Sequence, residues 1–147
     1  MEVLISNRSG VTVNTDLLRE LAEEILALEG VDARAELSIA LIDESEIKRL
    51  NAEYRGIDKP TDVLSFPQSD DGFDGPLLLG DILISPQVAQ AQSLEYQNSF
   101  DKEMAILLIH GVLHLLGYDH ESQDEARIME AEEEKILNGF LARKKAQ

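Results

Sequence analysis

All three histidines of the chain fall within eleven residues, His110-Gly111-Val112-Leu113-His114-Leu115-Leu116-Gly117-Tyr118-Asp119-His120. On a helix, His110 and His114 stand one turn apart on the same face, where two imidazoles can grip one metal ion. Gly117 can adopt the left-handed conformation that closes a helix. The chain then turns, and Tyr118-Asp119-His120 can bring a third imidazole to the same point. Three histidines leave one tetrahedral position open, the plan of a catalytic rather than a structural zinc site. A lone buried histidine is ordinarily a core residue with satisfied hydrogen bonds, but three in this register with a bending glycine point to a metal. Zinc is the first choice, although imidazole also suits copper, nickel and iron. Zinc held by neutral imidazoles keeps its full charge, lowers the pKa of bound water to about 7 and polarises a carbonyl or phosphoryl oxygen. The expected chemistry is hydrolysis.

Other groups that could assist are few. Arg55 lies at the start of a turn-rich segment, where its guanidinium could hold a phosphate through two parallel hydrogen bonds. A surface arginine offsetting a helix dipole explains the position equally well. Asp119 could orient a ligand imidazole, but shaping the turn is its simpler role. Glu103 precedes His110 by two helical turns on the same face, and an acid near a helix N-terminus is its simpler role. Lys59 and Thr61 could touch a substrate, though nothing in their spacing requires it.

These side chains need a scaffold. At 147 residues, the chain is expected to form one domain. Roughly 70% of its unfolded surface can be buried, enough for a core without staples. With no cysteine there is neither a disulfide framework nor a thiolate metal site, which suits a reducing compartment. Met1–Ser6 lacks the basic and long apolar runs of a secretory signal, and no run approaches the ~20 apolar residues of a membrane span. The reading is a soluble, cytoplasmic protein with no membrane partner. The net charge of −16 opposes non-specific binding to DNA or RNA, without excluding a local basic cleft.

Glu2–Ser6 reads as a short strand. Asn14 or Thr15 caps a helix to about Leu28 with an apolar stripe at Leu17, Leu18, Leu21, Ile25 and Leu28. Leu37–Ile42 is a strand apolar on both faces, hence central and covered on both sides. Asp43 or Ser45 starts a helix that Gly56 ends. Val63–Phe66 is a strand stopped by Pro67, and Ser69–Pro76 an acidic, mobile loop. Leu78–Ile84 is the fourth strand. Ser85-Pro86 opens a helix to about Tyr96. The next helix, Phe100–Leu116, is apolar almost all round in its second half and therefore buried. The histidine pair thus lies on the central, rigid element. Ser122-Gln123-Asp124-Glu125 is a capping box opening a last helix with Met129, Ile136 and Leu137 inward. Arg143-Lys144-Lys145 reads as a disordered basic tail. The order β-α-β-α-β-β-α-α-α gives an α+β fold, one small mixed four-stranded sheet with helices packed on it.

The spacing His-x3-His-x2-Gly-x2-His matches the ligand pattern of metzincin peptidases. Those enzymes carry their glutamate base directly after the first histidine. Here Gly111 stands there, so that base is missing. The histidine block also resembles the signature of the YbeY family of bacterial endoribonucleases. Tyr54-Arg55-Gly56-x-Asp58-x-Pro60-Thr61-Asp62-Val63-Leu64-Ser65-Phe66-Pro67 resembles that family's second signature, and Leu79-Gly80-Asp81-Ile82 with Ile84-Ser85 its third. The resemblance runs from about Leu37 to Leu137. It implies a zincin-like fold, with one zinc ion on His110, His114 and His120 and a role for Arg55 in cleavage. It further implies single-strand-specific cutting of RNA in 3′-end maturation of small-subunit ribosomal RNA and in late ribosome quality control. The partners implied are single-stranded RNA, ribosomal RNA and the small subunit. For RNA to approach so acidic a chain, a partner protein or a local basic groove around Arg55 is needed, and Arg34, Lys48, Arg49 and Lys59 are candidates to line that groove. The competing readings are a metallohydrolase acting on a peptide or small molecule, and a non-catalytic zinc-binding ribosome assembly factor. Oligomeric state cannot be read from the residues.

Overall fold

The computed structural model describes residues 1–68 and 77–145. In chain order the elements are β1 (Glu2–Asn7), α1 (Thr15–Leu28), β2 (Ala35–Leu41), α2 (Glu44–Arg55), β3 (Val63–Pro67), β4 (Leu77–Ile84), α3 (Pro86–Glu95), α4 (Phe100–Leu115) and α5 (Gln123–Lys145). The fold is α+β, as expected. The acidic segment Ser69–Pro76 lies outside the described residues.

The sheet has the order β1-β2-β4-β3. β1, β2 and β4 run parallel, and β3 alone is antiparallel, paired to β4 at the edge. The helix starts follow the capping residues. Asn14 accepts from the Leu17 amide, Asp43 from Glu46, Ser85 from Val88 and Ser99 from Lys102, each satisfying an amide the first turn leaves orphaned. Gly56 closes α2 in the left-handed conformation.

One layer of helices covers one face of the sheet, with α4 at its centre. Met104, Ala105, Leu107, Leu108, Ile109, Val112 and Leu113 of α4 are all buried. They share a core with Leu18, Leu21 and Ile25 of α1, Leu37, Ile39 and Leu41 of β2, and Met129, Ile136 and Phe140 of α5. Each large apolar side chain among them contributes roughly 1.5–3 kcal/mol, so α4 is firmly held in the core. The opposite sheet face is covered only in part. There Ile42, Ile47 and Leu64 form a small cluster with Ala40, Leu50, Phe66 and Leu83. β2 is interior, but Glu36 and Ser38 remain half-exposed, so its second face is not closed over as its apolar pattern suggested.

The C-terminal basic run is also not the disordered tail expected. Helix α5 continues through Lys145, with Arg143 paired to Glu24 and Lys144 3.5 Å from Glu20. Both acids lie on α1, so the acidic excess there draws the basic end of α5 onto the domain. No helix among the described residues is long and apolar enough to cross a membrane.

Candidate metal centre

The last two turns of α4 carry His110 and His114. The helix ends at Leu115, and the Gly117 amide bonds back to the His114 carbonyl while the Tyr118 amide bonds to the Leu113 carbonyl. Gly117 takes φ +101°, which only glycine adopts without strain, and the chain reverses there. The Asp119 side chain then accepts from the His120 amide at 2.8 Å, so its role is to shape the turn. The result brings the three rings together. The His110 and His114 centroids lie 4.6 Å apart, His114 and His120 5.2 Å, and His110 and His120 6.2 Å. One ring nitrogen of each lies within 4.8 Å of the others, so the cluster could hold a metal ion.

The surroundings fit such an ion. Nδ1 of His110 is 3.0 Å from the Glu133 carboxylate on α5. A carboxylate there fixes Nδ1 as the protonated nitrogen and leaves Nε2 for a ligand. The same hydrogen bond raises the His110 pKa against the opposing effect of burial. His114 is shifted down, first by burial and then by the neighbouring histidines, which keeps it neutral and able to bind. The turn itself is tied down from a distance. The Tyr118 hydroxyl donates to Glu29 at the end of α1 at 2.6 Å. That bond, with burial, pushes the phenol up to about 12. The Glu29 carboxyl is itself raised, chiefly by burial.

The three histidines open onto a cavity of about 850 Å³. Its walls are β3, the end of α2, α3, α4, the turn after α4 and, at Glu133, α5. Arg55 lines it from the last turn of α2, with Thr61 nearby in the loop that follows. Among the described residues lining it, Arg55 is the one arginine or lysine; Arg34, Lys48, Arg49 and Lys59 are not part of that lining. Arg34 pairs with Asp32 and Arg49 with Glu53, each local in sequence. The described lining carries four carboxylates instead, Asp62, Glu103, Asp119 and Glu133. Glu103 does sit in the first turn of α4, but it is 4% exposed and accepts from the Asn98 side chain at 3.1 Å. An acid-rich cavity around three imidazoles suits a bound cation.

Gly111 faces the sheet rather than the cavity. A Cβ there would meet Ile82 Cγ2 at 3.0 Å and Ser65 Oγ at 3.3 Å. No glutamate fits where a metzincin carries its base.

Glu133 went unrecognised in the sequence, although a signal was present. It stands in the inward stripe of α5 between Met129, Ile136 and Phe140, all buried. A carboxylate on an apolar stripe needs a partner.

The whole chain also has known relatives. The endoribonuclease YbeY family model matches residues 4–141. An endoribonuclease YbeY from Pelotomaculum thermopropionicum is 46% identical, aligned over 93% of this chain and 95% of its own. One from Geobacillus thermodenitrificans is 44% identical over 85% of each. The solution structure of TM1509 from Thermotoga maritima superimposes with a TM-score of 0.68 at 32% identity, covering 98% of this chain and 92% of that one. On the matched family, these identities and this shared fold, the chain belongs to the YbeY family of endoribonucleases.

Proposed function

We propose that this chain is a zinc-dependent endoribonuclease specific for single-stranded RNA, acting in 3′-end maturation of small-subunit ribosomal RNA and in late ribosome quality control in the cytoplasm. On this reading residues 1–147 form a single hydrolase domain. The observation that carries it is the meeting of three imidazoles and one arginine in a single cavity of an endoribonuclease-family chain.

His110, His114 and His120 would hold one zinc ion. When bound, it supplies a Lewis acid that polarises a phosphoryl oxygen and acidifies water. The protein's own groups do the rest. Glu133 accepts the His110 Nδ1 proton and holds that ring in register. The tether from Tyr118 to Glu29 keeps the turn bearing His120 against the helix end. Arg55 is exposed on the cavity wall and makes no ion pair among the described residues, so its five donors are available to a phosphate.

The test combines metal analysis with cleavage. Purified protein should contain about one zinc per chain and cut a single-stranded RNA faster than the same sequence in a duplex. His114→Ala should lose the metal and the activity together. Arg55→Ala should keep the metal and lose about 100-fold in kcat/KM, the scale of one preorganised charged donor. Equal cleavage by the parent and both variants would assign the activity elsewhere.

A further inference from the structure

We infer that the outer edge of β3 reads the pairing edge of one unpaired adenine or cytosine beside the scissile phosphate. This rests on the cavity being the RNA cleft.

In an antiparallel pair, successive residues alternate between bonding the partner strand and facing away from it. The Ser85 amide donates to the Asp62 carbonyl and the Gln68 amide to the Leu79 carbonyl. With the register Leu64↔Leu83 and Phe66↔Asp81, the even-numbered residues of β3 bond β4. Val63, Ser65 and Pro67 therefore turn their backbone groups away from the sheet. No strand among the described residues pairs with that side, and the strand lines the cavity that contains His110 and His114. The Ser65 hydroxyl donates to the Gly111 carbonyl at 3.3 Å, which fixes Ser65 beside the residue following His110.

The edge is short. The Val63 amide is taken by the Asp62 carboxylate at 2.8 Å, and Pro67 has no amide hydrogen. One donor remains, Ser65 N–H, adjacent to the Val63 carbonyl on the same side. An added peptide strand needs a ladder of such groups. A single base needs one donor and one acceptor side by side. Adenine and cytosine each present an amino N–H next to an unprotonated ring nitrogen, which complements the Val63 carbonyl and the Ser65 amide. Ile106 and Leu107 line the same cavity and offer an apolar surface for the ring face. In a duplex those base groups are already used, so a paired base has nothing to offer the edge. The edge thus favours single strands without touching the sugar or phosphate.

The experiment uses zinc-loaded, ¹⁵N-labelled protein and short 2′-O-methyl oligoadenylate, oligocytidylate and oligouridylate, each checked to be intact after its spectrum. The adenine and cytosine oligomers should shift the Ser65 amide and slow its hydrogen exchange, and the uridine oligomer should do so far less. Ser65→Pro removes the outward amide without removing a ladder bond and should weaken binding about tenfold. Ser65→Ala, which keeps the amide but loses the bond to Gly111, should weaken it less than Ser65→Pro does. A Ser65 amide that stays still while the parent protein cuts RNA would overturn this inference and leave the proposed function standing. Failure of the zinc-loaded parent to cut any RNA would remove both. Equal response to uridine, full binding by Ser65→Pro, or an extended peptide that moves Ser65 where the oligonucleotides do not, would each overturn the inference. The amide measurement on the parent needs no variant to fold.

Discussion

The histidines were legible because their geometry is local. A four-residue step and a glycine turn are fixed by the backbone alone, so three nearby residues sufficed to foresee the cluster. Glu133 lies 23 residues from His110 and meets it only because α5 packs back on α4. No local rule supplies that distance. Its effect is directly measurable in metal-free protein. His110 is the raised base, so its contact with Glu133 stabilises the fold fully below the ordinary imidazole pKa. That contribution disappears as pH climbs through the raised value. His114 is the depressed base, and its cost appears as pH falls below the ordinary value. An NMR titration of the apo protein should show His110 titrating above the usual range and His114 below it. Glu133→Gln should bring His110 down and weaken zinc binding by about 10- to 100-fold, read by chelator competition. An unmoved His110 titration in that variant would show that Glu133 does not orient the ring.

At the scale of elements, the order of strands and helices followed from capping residues, glycines and hydrophobic period, all of which act within one turn. The exceptions came from packing. β2 reads as apolar on both faces, yet on its second side α2 packs near Ala40 and Ile42 while Glu36 and Ser38 stay partly exposed. Charge complementarity carries α5 to Lys145, although Arg143 and Lys144 taken alone read as a tail. Helix α4 shows most clearly how the element sets the chemistry. Position 111 lies against Ile82 and Ser65, so the helix turns its glycine to the sheet and its histidines to the cavity. Restoring the peptidase pattern with Gly111→Glu should therefore not create a peptidase. It should place a carboxylate against a buried isoleucine and cost about 3 kcal/mol or more. For a chain of this size that corresponds to a fall of roughly 6 °C or more in Tm by calorimetry. A variant that folds as stably as the parent and cuts peptides would show that the residue faces the cavity.

At the scale of the whole molecule, charge poses the remaining problem. A net charge of −16 repels RNA at long range, and the described cavity lining sets one arginine against four carboxylates. Nucleases that rely on a basic surface lose affinity steeply with salt, because each phosphate contact releases a counterion. Here the expectation differs in sign and size. Below about 0.1 M salt, screening of the net repulsion should dominate, since the Debye length is then 10 Å or more. Encounter, and with it kcat/KM, should rise or stay level as salt is added. Above that, the contact made by Arg55 should dominate. With about one phosphate neutralised, log kcat/KM should fall against log salt with a slope near −0.7, the single-strand value per phosphate. Cleavage of one short RNA from 10 to 300 mM monovalent salt measures both limbs. A slope of −3 or steeper throughout would require several further cationic contacts and would place the RNA on a surface other than this cavity. The same series with Arg55→Ala should abolish the falling limb and leave the rising one, because the variant removes the local contact and makes the chain still more negative. Separating the limbs in this way assigns attraction to one guanidinium and repulsion to the molecule as a whole.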